Sequence, residues 1–221
     1  MGDVHEANLA EQLREKGSYQ LIGKPSFTNA SLKIAAAKTA EAIKQGIETI
    51  AQATLYTGEF LGFADFLLIE KDDSGQPLKD SKGRFIYNPV DAKSARSANR
   101  AAVVQVASYA SALVDLGFAQ PQRVLLLLGG EEKWECQATD VLDLAQEFLN
   151  RVRHKVTSFH SLPEQQWDAP REACGRCRWE NQCKSARDAN DDLSLVQGIR
   201  ATTRLHLISA GIKTMSDLAN A

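Results

Sequence analysis

The 221-residue sequence places polar side chains at several positions where its own pattern calls for apolar ones. Asp65 lies in Gly62-Phe63-Ala64-Asp65-Phe66-Leu67-Leu68, inside a nearly continuous apolar run at 58–70 that reads as a buried strand. A lone carboxylate there costs several kcal/mol unless it is paired or binds a metal. Asp91 and Lys93 flank Ala92 on a second strand, expected over 85–94. Strand side chains alternate, so these two share a face. A hairpin that sets 85–93 beside 58–70 lets Asp65 and Asp91 converge. Two carboxylates, a lysine and the Ala92 carbonyl then make a hard-oxygen site suited to Mg²⁺ or Mn²⁺. The plainer readings are an ion pair at Asp91–Lys93 and a strand-end Asp65 bonded to backbone.

Gln105 and Tyr109 stand i, i+4 on the helix that follows, polar among Val103, Val104, Val106, Ala107 and Ala110. Taken alone they describe an ordinary helix flank, and only their place after the Asp-x-Lys strand gives them weight. His5, near the start of an N-terminal helix, is a candidate ligand on the same condition. Cys174, Cys177 and Cys183 fall in the pattern C-x₂-C-x₅-C. Three thiols in ten residues point to a metal site more than to disulfides in a chain with no export signal. Residues 151–187 around them hold 8 basic against 4 acidic side chains. A solvated helix face or a phosphate-facing surface would account for that excess.

The elements that must position these residues are legible in outline. Asp3-x-x-Glu6 reads as a capping box opening a helix to about Lys16. A second helix is expected over 31–53, with Leu32, Ala36, Ala40, Ile43, Ile47 and Ile50 as its apolar stripe. The strand at 58–70 follows, then a polar stretch rich in turn formers at 71–84, read as a hairpin loop or mobile insertion. After the strand at 85–94 come a helix over 98–116, strands at 123–129 and 133–139, and a helix over 141–155. Past Pro170 a cysteine-bearing loop leads to two short helical patterns around Gly198 and Gly211. The order predicts an α/β fold with a mixed central sheet flanked by helices and a small helical tail.

His5 in Gly-x-x-His, Asp65 in Gly-x-x-Asp, Asp91-Ala92-Lys93, and Gln105-x-x-x-Tyr109 occur in an order that resembles the RecB-type branch of the PD-(D/E)XK nucleases. The resemblance spans about residues 1–110. It implies a restriction-endonuclease-like core over 1–187, including the cysteines. His5, Asp65 and Asp91 would bind the metal, and Lys93 would orient the attacking water and stabilise charge on the phosphate. Gln105 and Tyr109 would support the site and contact the strand. In several such nucleases a C-terminal cysteine triplet joins one cysteine upstream of the His motif to hold a [4Fe–4S] cluster. No cysteine precedes His5 here. Either the chain is a piece of a longer protein, the favoured expectation, or Cys136, His154 or His160 supplies a fourth ligand, with Zn²⁺ as the alternative metal. The tail at 192–221 resembles a helix-hairpin-helix element, with a plain two-helix packing unit as the other reading.

The implied function is a metal-dependent deoxyribonuclease acting on single strands or DNA ends in repair or recombination. Its partners would be DNA and a helicase or further nuclease region of a longer protein. The alternatives are a DNA-gripping module that does not cut and a metal-stabilised scaffold. Composition fits these and excludes others. A net charge of −2 with 26 basic and 28 acidic side chains argues against a histone-like binder. The longest apolar run, at 124–130, falls well short of the ~20 residues of a membrane helix. The N-terminal segment has no apolar signal core, so the expected location is cytoplasmic.

Overall fold

The structure, a computed structural model, describes residues 2–130, 132–158, 174–175 and 177–221, with side chains from residue 6 onward. The chain forms two compact units, Met1–Ser158 and Phe159–Ala221. The expected site residues from Asp65 to Tyr109 lie in the first, and Cys174, Cys177 and Cys183 lie in the second.

The first unit is an α/β fold built on one mixed sheet of six strands in sequence order. Its elements are α1 (Gly2–Arg14), β1 (Tyr19–Leu21), α2 (Asn29–Gln45), β2 (Thr49–Tyr56), β3 (Leu61–Ile69), β4 (Tyr87–Ala92), α3 (Arg100–Asp115), β5 (Arg123–Leu127), β6 (Lys133–Gln137) and α4 (Thr139–Thr157). β3 runs antiparallel to both β2 and β4, and β6 antiparallel to β5, while β1–β2 and β4–β5 are parallel pairs. Parallel neighbours need a crossover, and α3 supplies it between β4 and β5. The main core lies where α2, α3 and α4 meet the sheet, around Ile43, Leu55, Leu67, Val106, Leu113 and Leu126. On the other face, Leu9, Ala10 and Leu13 of α1 cover Ala51, Phe66, Val90 and Leu125.

The helix expected over 31–53 is two elements. α2 stops at Gln45 because Gly46 takes a left-handed cap, with φ 73°. Such a cap costs glycine little and turns the chain out of the helix. Ile47 and Ile50, assigned to the helix stripe, therefore leave it, and Ile50 is buried in β2. The β-branched Thr49, Ile50 and Thr54 suit a strand better than a helix. β1 has no counterpart in the sequence reading. α1 starts at Gly2, so Asp3 lies inside its first turn rather than ahead of it. In the polar stretch at 71–84, Asp72 Oδ1 accepts from the N–H groups of Ser74 and Gln76 at 2.8 and 2.9 Å. Asp80 Oδ1 accepts from those of Lys82 and Arg84, both at 2.9 Å. Two tandem Asx turns thus shape the hairpin loop.

A polar group buried at the base of the sheet ties three strands together. Glu70, 7% exposed, accepts from Arg123 Nη2 at 2.7 and 2.9 Å and from the Asn88 amide. Asn88 Oδ1 in turn accepts from the backbone N–H groups of Gln122 and Arg123 at 3.1 and 2.9 Å.

In the second unit, α5 (Glu180–Ala189), a 3₁₀ turn at Leu193–Leu195, α6 (Ala201–Ser209) and α7 (Met215–Ala219) form the tail. Cys183 lies on α5, where the sequence suggested loop. Arg204 clamps Asp192 through two bonds, at 3.0 and 2.6 Å, and this holds the Asp192 carboxyl down at about 2. Among the described residues no helix is long and apolar enough to cross a membrane.

Removing the Arg123 guanidinium leaves Glu70 buried with only Asn88 against it. Arg123→Ala should cost about 2–3 kcal/mol, discounted because the arginine is partly solvated. The Arg123→Met, Glu70→Leu double variant should recover most of the loss. Urea unfolding midpoints at constant m measure both, and equal losses in the two variants would show that the charge pair carries none of the effect.

Candidate active site

In the β3–β4 pair Phe66 faces Val90, so the antiparallel register sets Asp65 directly opposite Asp91. Opposed side chains in such a pair stand about 5 Å apart at Cβ. Ala92 N–H donates to Asp65 Oδ2 at 2.7 Å. Asp91 is 2% exposed, and Lys93 Nζ pairs with its Oδ2, an atom that has no well-formed hydrogen bond. Lys93 Nζ also donates to Gln105 Oε1 at 3.1 Å. The Gln105 amide donates to Asp91 Oδ1 at 3.4 Å and to the Tyr109 hydroxyl at 2.6 Å. Asp65, Asp91, Lys93, Gln105 and Tyr109 thus form one connected group.

α3 delivers the last two. Asn99 caps it by accepting from Ala102 N–H at 2.9 Å, and from Ala102 to Leu113 the helix is packed into the core. Gln105 and Tyr109, one turn apart, face the open end of the β3–β4 pair. Gly62 makes room for them, since a Cβ there would lie 2.7 Å from Tyr109 Cε1.

Burial of two like charges sets the electrostatics. Asp65 is pushed up to about 7, first by burial and then by the neighbouring Asp91 charge. Asp91 is also raised by burial, against the opposing pull of Lys93. Burial and the two carboxylates keep the Tyr109 hydroxyl protonated. The pair holds a proton near neutrality unless a cation replaces it.

Glu6 is a site residue that the sequence reading used only as a helix cap. It lies on the helix face of Leu9, Ala10 and Leu13, which packs on the sheet, so the same periodicity that finds that face also finds Glu6. Its Oε1 accepts from Gln52 Nε2 at 3.2 Å, and its charge adds to the rise at Asp65. Gln52 stands opposite Asp65 in the β2–β3 register and has φ 50°, a left-handed backbone that costs a non-glycine residue about 1 kcal/mol or more. The strand faces change over here. Ile50 and Ala53 both join the main core while Ala51 lies on the α1 side, and Ala64 and Leu67 repeat this around Phe66.

The group lines a cleft of about 1320 Å³, whose walls include Glu6, Phe27, Phe60, Phe63, Arg100 and Arg151. His5 lies in α1, with its side chain outside the described residues; His160, Arg171 and Arg176 also lie outside them. Cys174 and Cys177 are joined by a backbone turn of 2.8 Å, and Cys183 follows on α5. Cys136 lies on β6 and His154 on α4, both in the first unit. Among the described residues no three His, Cys, Asp or Glu side chains form a ready-made metal group. Any ion at Asp65 and Asp91 would complete its shell with water and backbone oxygen, as Mg²⁺ commonly does. The donor set, hard carboxylates at the floor of a cleft, fits such an ion.

No protein-family model matches the chain, and no curated protein matches it.

The raised Asp65 fixes the sign of a pH effect. Below about pH 4 both folded and unfolded chains hold the proton, and the group contributes nothing. Above that the unfolded chain releases it while the folded chain does not, so stability falls until about pH 7 and then levels off. Asp65→Asn should therefore stabilise the metal-free chain at pH 8, on the order of 2 kcal/mol, and leave it nearly unchanged at pH 4. Thermal unfolding across that range reads it. A variant less stable than the parent at pH 8 would contradict the assigned electrostatics.

Proposed function

We propose that the chain is a metal-dependent DNA nuclease domain of the RecB-type PD-(D/E)XK branch, hydrolysing phosphodiesters in single strands or at ends. The observation that carries this reading is Asp65 opposite Asp91, with Lys93, Gln105 and Tyr109 joined to them at the floor of one cleft. A mixed sheet flanked by helices is compatible with that fold.

Asp65 and Asp91 would hold Mg²⁺ or Mn²⁺, with Glu6 approaching from α1 and His5 a further ligand by the family resemblance. Bound there, the ion would lower the pKa of a coordinated water and screen the charge that builds on the phosphate. Lys93, 31% exposed, faces both the Asp91 carboxylate and the cleft. From there it orients the attacking water and stabilises the developing charge. Gln105 fixes the Lys93 ammonium and the Tyr109 hydroxyl at once, and the protonated hydroxyl is free to donate to a phosphate oxygen. DNA is the proposed partner, with a helicase or further nuclease region in a longer protein. The cysteines belong to the same reading. Cys174, Cys177 and Cys183 would be drawn together on loading with iron and sulfide or zinc, as thiolate sites often form only with their metal.

Asp91→Ala and Lys93→Ala should each lower Mg²⁺- or Mn²⁺-dependent cleavage of single-stranded DNA by at least about a hundredfold while keeping the parent's circular dichroism. Both variants cutting at the parental rate would sink the site assignment. Anaerobic reconstitution with iron and sulfide should give a visible absorbance that Cys177→Ser removes. A band unchanged in that variant would exclude the triplet as the ligand set.

A further inference from the structure

The rim of the cleft carries a feature that catalysis at Asp65 does not use. Phe27 is 82% exposed, in the segment between β1 and α2. It immediately precedes Thr28, whose side chain caps α2 by accepting from Ser31 N–H. An apolar residue at that place ordinarily staples itself to the first turn of its helix, here at Leu32. Leu32 is buried without it, and Phe27 stays in solvent. Among the described residues its one ring contact is with Phe63, edge to face at a centroid distance of 6.1 Å. Phe63 lies two residues before Asp65 on β3, and both side chains line the cleft. Both rings line the cleft.

Besides Lys93, three cations share that lining: Lys24, Arg100 and Arg151. None has a carboxylate partner among the described residues. An exposed aromatic ring against a half-buried one, beside cations with no carboxylate partner among the described residues and leading to the proposed phosphate centre, matches what an unpaired nucleotide needs: a ring to stack its base on and positive charge for its backbone. A paired duplex hides its base faces and gains nothing from Phe27.

We infer that Phe27 and Phe63 form a base-stacking platform that receives an unpaired base next to the phosphate held at Asp65 and Asp91. This makes single-stranded DNA the substrate class. The inference rests on the nuclease reading for the identity of the phosphate centre.

The test measures binding of the 221-residue chain in EDTA, so that nothing is cut. The probes are a fluorescent oligothymidylate, its duplex with oligoadenylate, and the same strand carrying abasic sites. The parent should prefer the single strand. Phe27→Ala should weaken that binding about tenfold and leave the duplex unchanged. Phe27→Tyr should retain most of it. On the abasic strand Phe27→Ala and the parent should bind alike, because the lost contact is to a base. Arg151→Ala should weaken strand and duplex together and reduce the salt dependence. Equal loss on strand and duplex in Phe27→Ala would overturn the platform, as would no preference in the parent or no binding at all. A concentration-dependent dimer that Phe27→Ala abolishes would also overturn it, by assigning the exposed ring to self-association. Loss of the platform with metal-dependent cleavage intact would leave the nuclease reading standing. Stacking-dependent binding without any cleavage in Mg²⁺ or Mn²⁺ would keep the platform and remove the nuclease reading.

Discussion

The register that opposes Asp65 and Asp91 is the constraint around which the first unit is organised. Like charges directly across an antiparallel pair repel, and burial deepens the cost. The surroundings answer that cost in parts. Ala92 N–H satisfies one carboxylate, Lys93 pairs with the other, and a proton near neutrality supplies the remaining charge. The remedy lasts only while that proton is held, and above about pH 7 the repulsion returns. On the proposed reading a cation would replace that proton, and the chain would carry the cost in stability, a familiar exchange at active sites.

The rest of the fold holds this strained pair in place. A three-stranded antiparallel core fixes both aspartates on rigid backbone. Gln105 and Tyr109 reach their place above them through the α3 crossover, which starts at the Asn99 cap just beyond Lys93. Gly62 lets the tyrosine ring descend onto β3. At the far end of the sheet Glu70, Asn88 and Arg123 lock β3, β4 and β5 against sliding, and a slip of one residue would turn Asp91 to the opposite face. The two polar networks sit at opposite ends of β4, one resisting slippage and the other exploiting the register it protects.

Much of this was legible because alternation and order are strong local signals. An aspartate inside an apolar strand, an Asp-x-Lys two strands' length later and a polar i, i+4 pair on the next helix are each visible without long-range information. What escaped depended on backbone conformation. The helix read through to residue 53 failed at Gly46, where one left-handed residue outweighs a continuing apolar periodicity. Gln52 has no sequence signature at all: nothing in Ala51-Gln52-Ala53 announces a left-handed residue in mid-strand, and the change of strand faces it accompanies breaks simple alternation beside Asp65 itself. Glu6 shares the face of Leu9 and Leu13, so helical periodicity points to it, while the capping pattern Asp3-x-x-Glu6 accounts for the same residue without a site.

The cleft divides its work between two kinds of structure. The acidic floor comes from central strands and a buried helix, where side chains are held by packing and by hydrogen bonds on every side. The proposed chemistry at phosphorus would need that precision, because displacement of an ångström is costly in such a reaction. The rim differs. Phe27 projects from a connecting segment, and Arg151 lies on the partly exposed face of α4 beside Leu144 and Phe148. Stacking and charge attraction tolerate small displacements and do not depend on base identity. A rigid floor with an adaptable, sequence-indifferent rim is what the proposed nuclease reading calls for: a site that would grip many strands and act on one invariant feature of all of them, the phosphodiester.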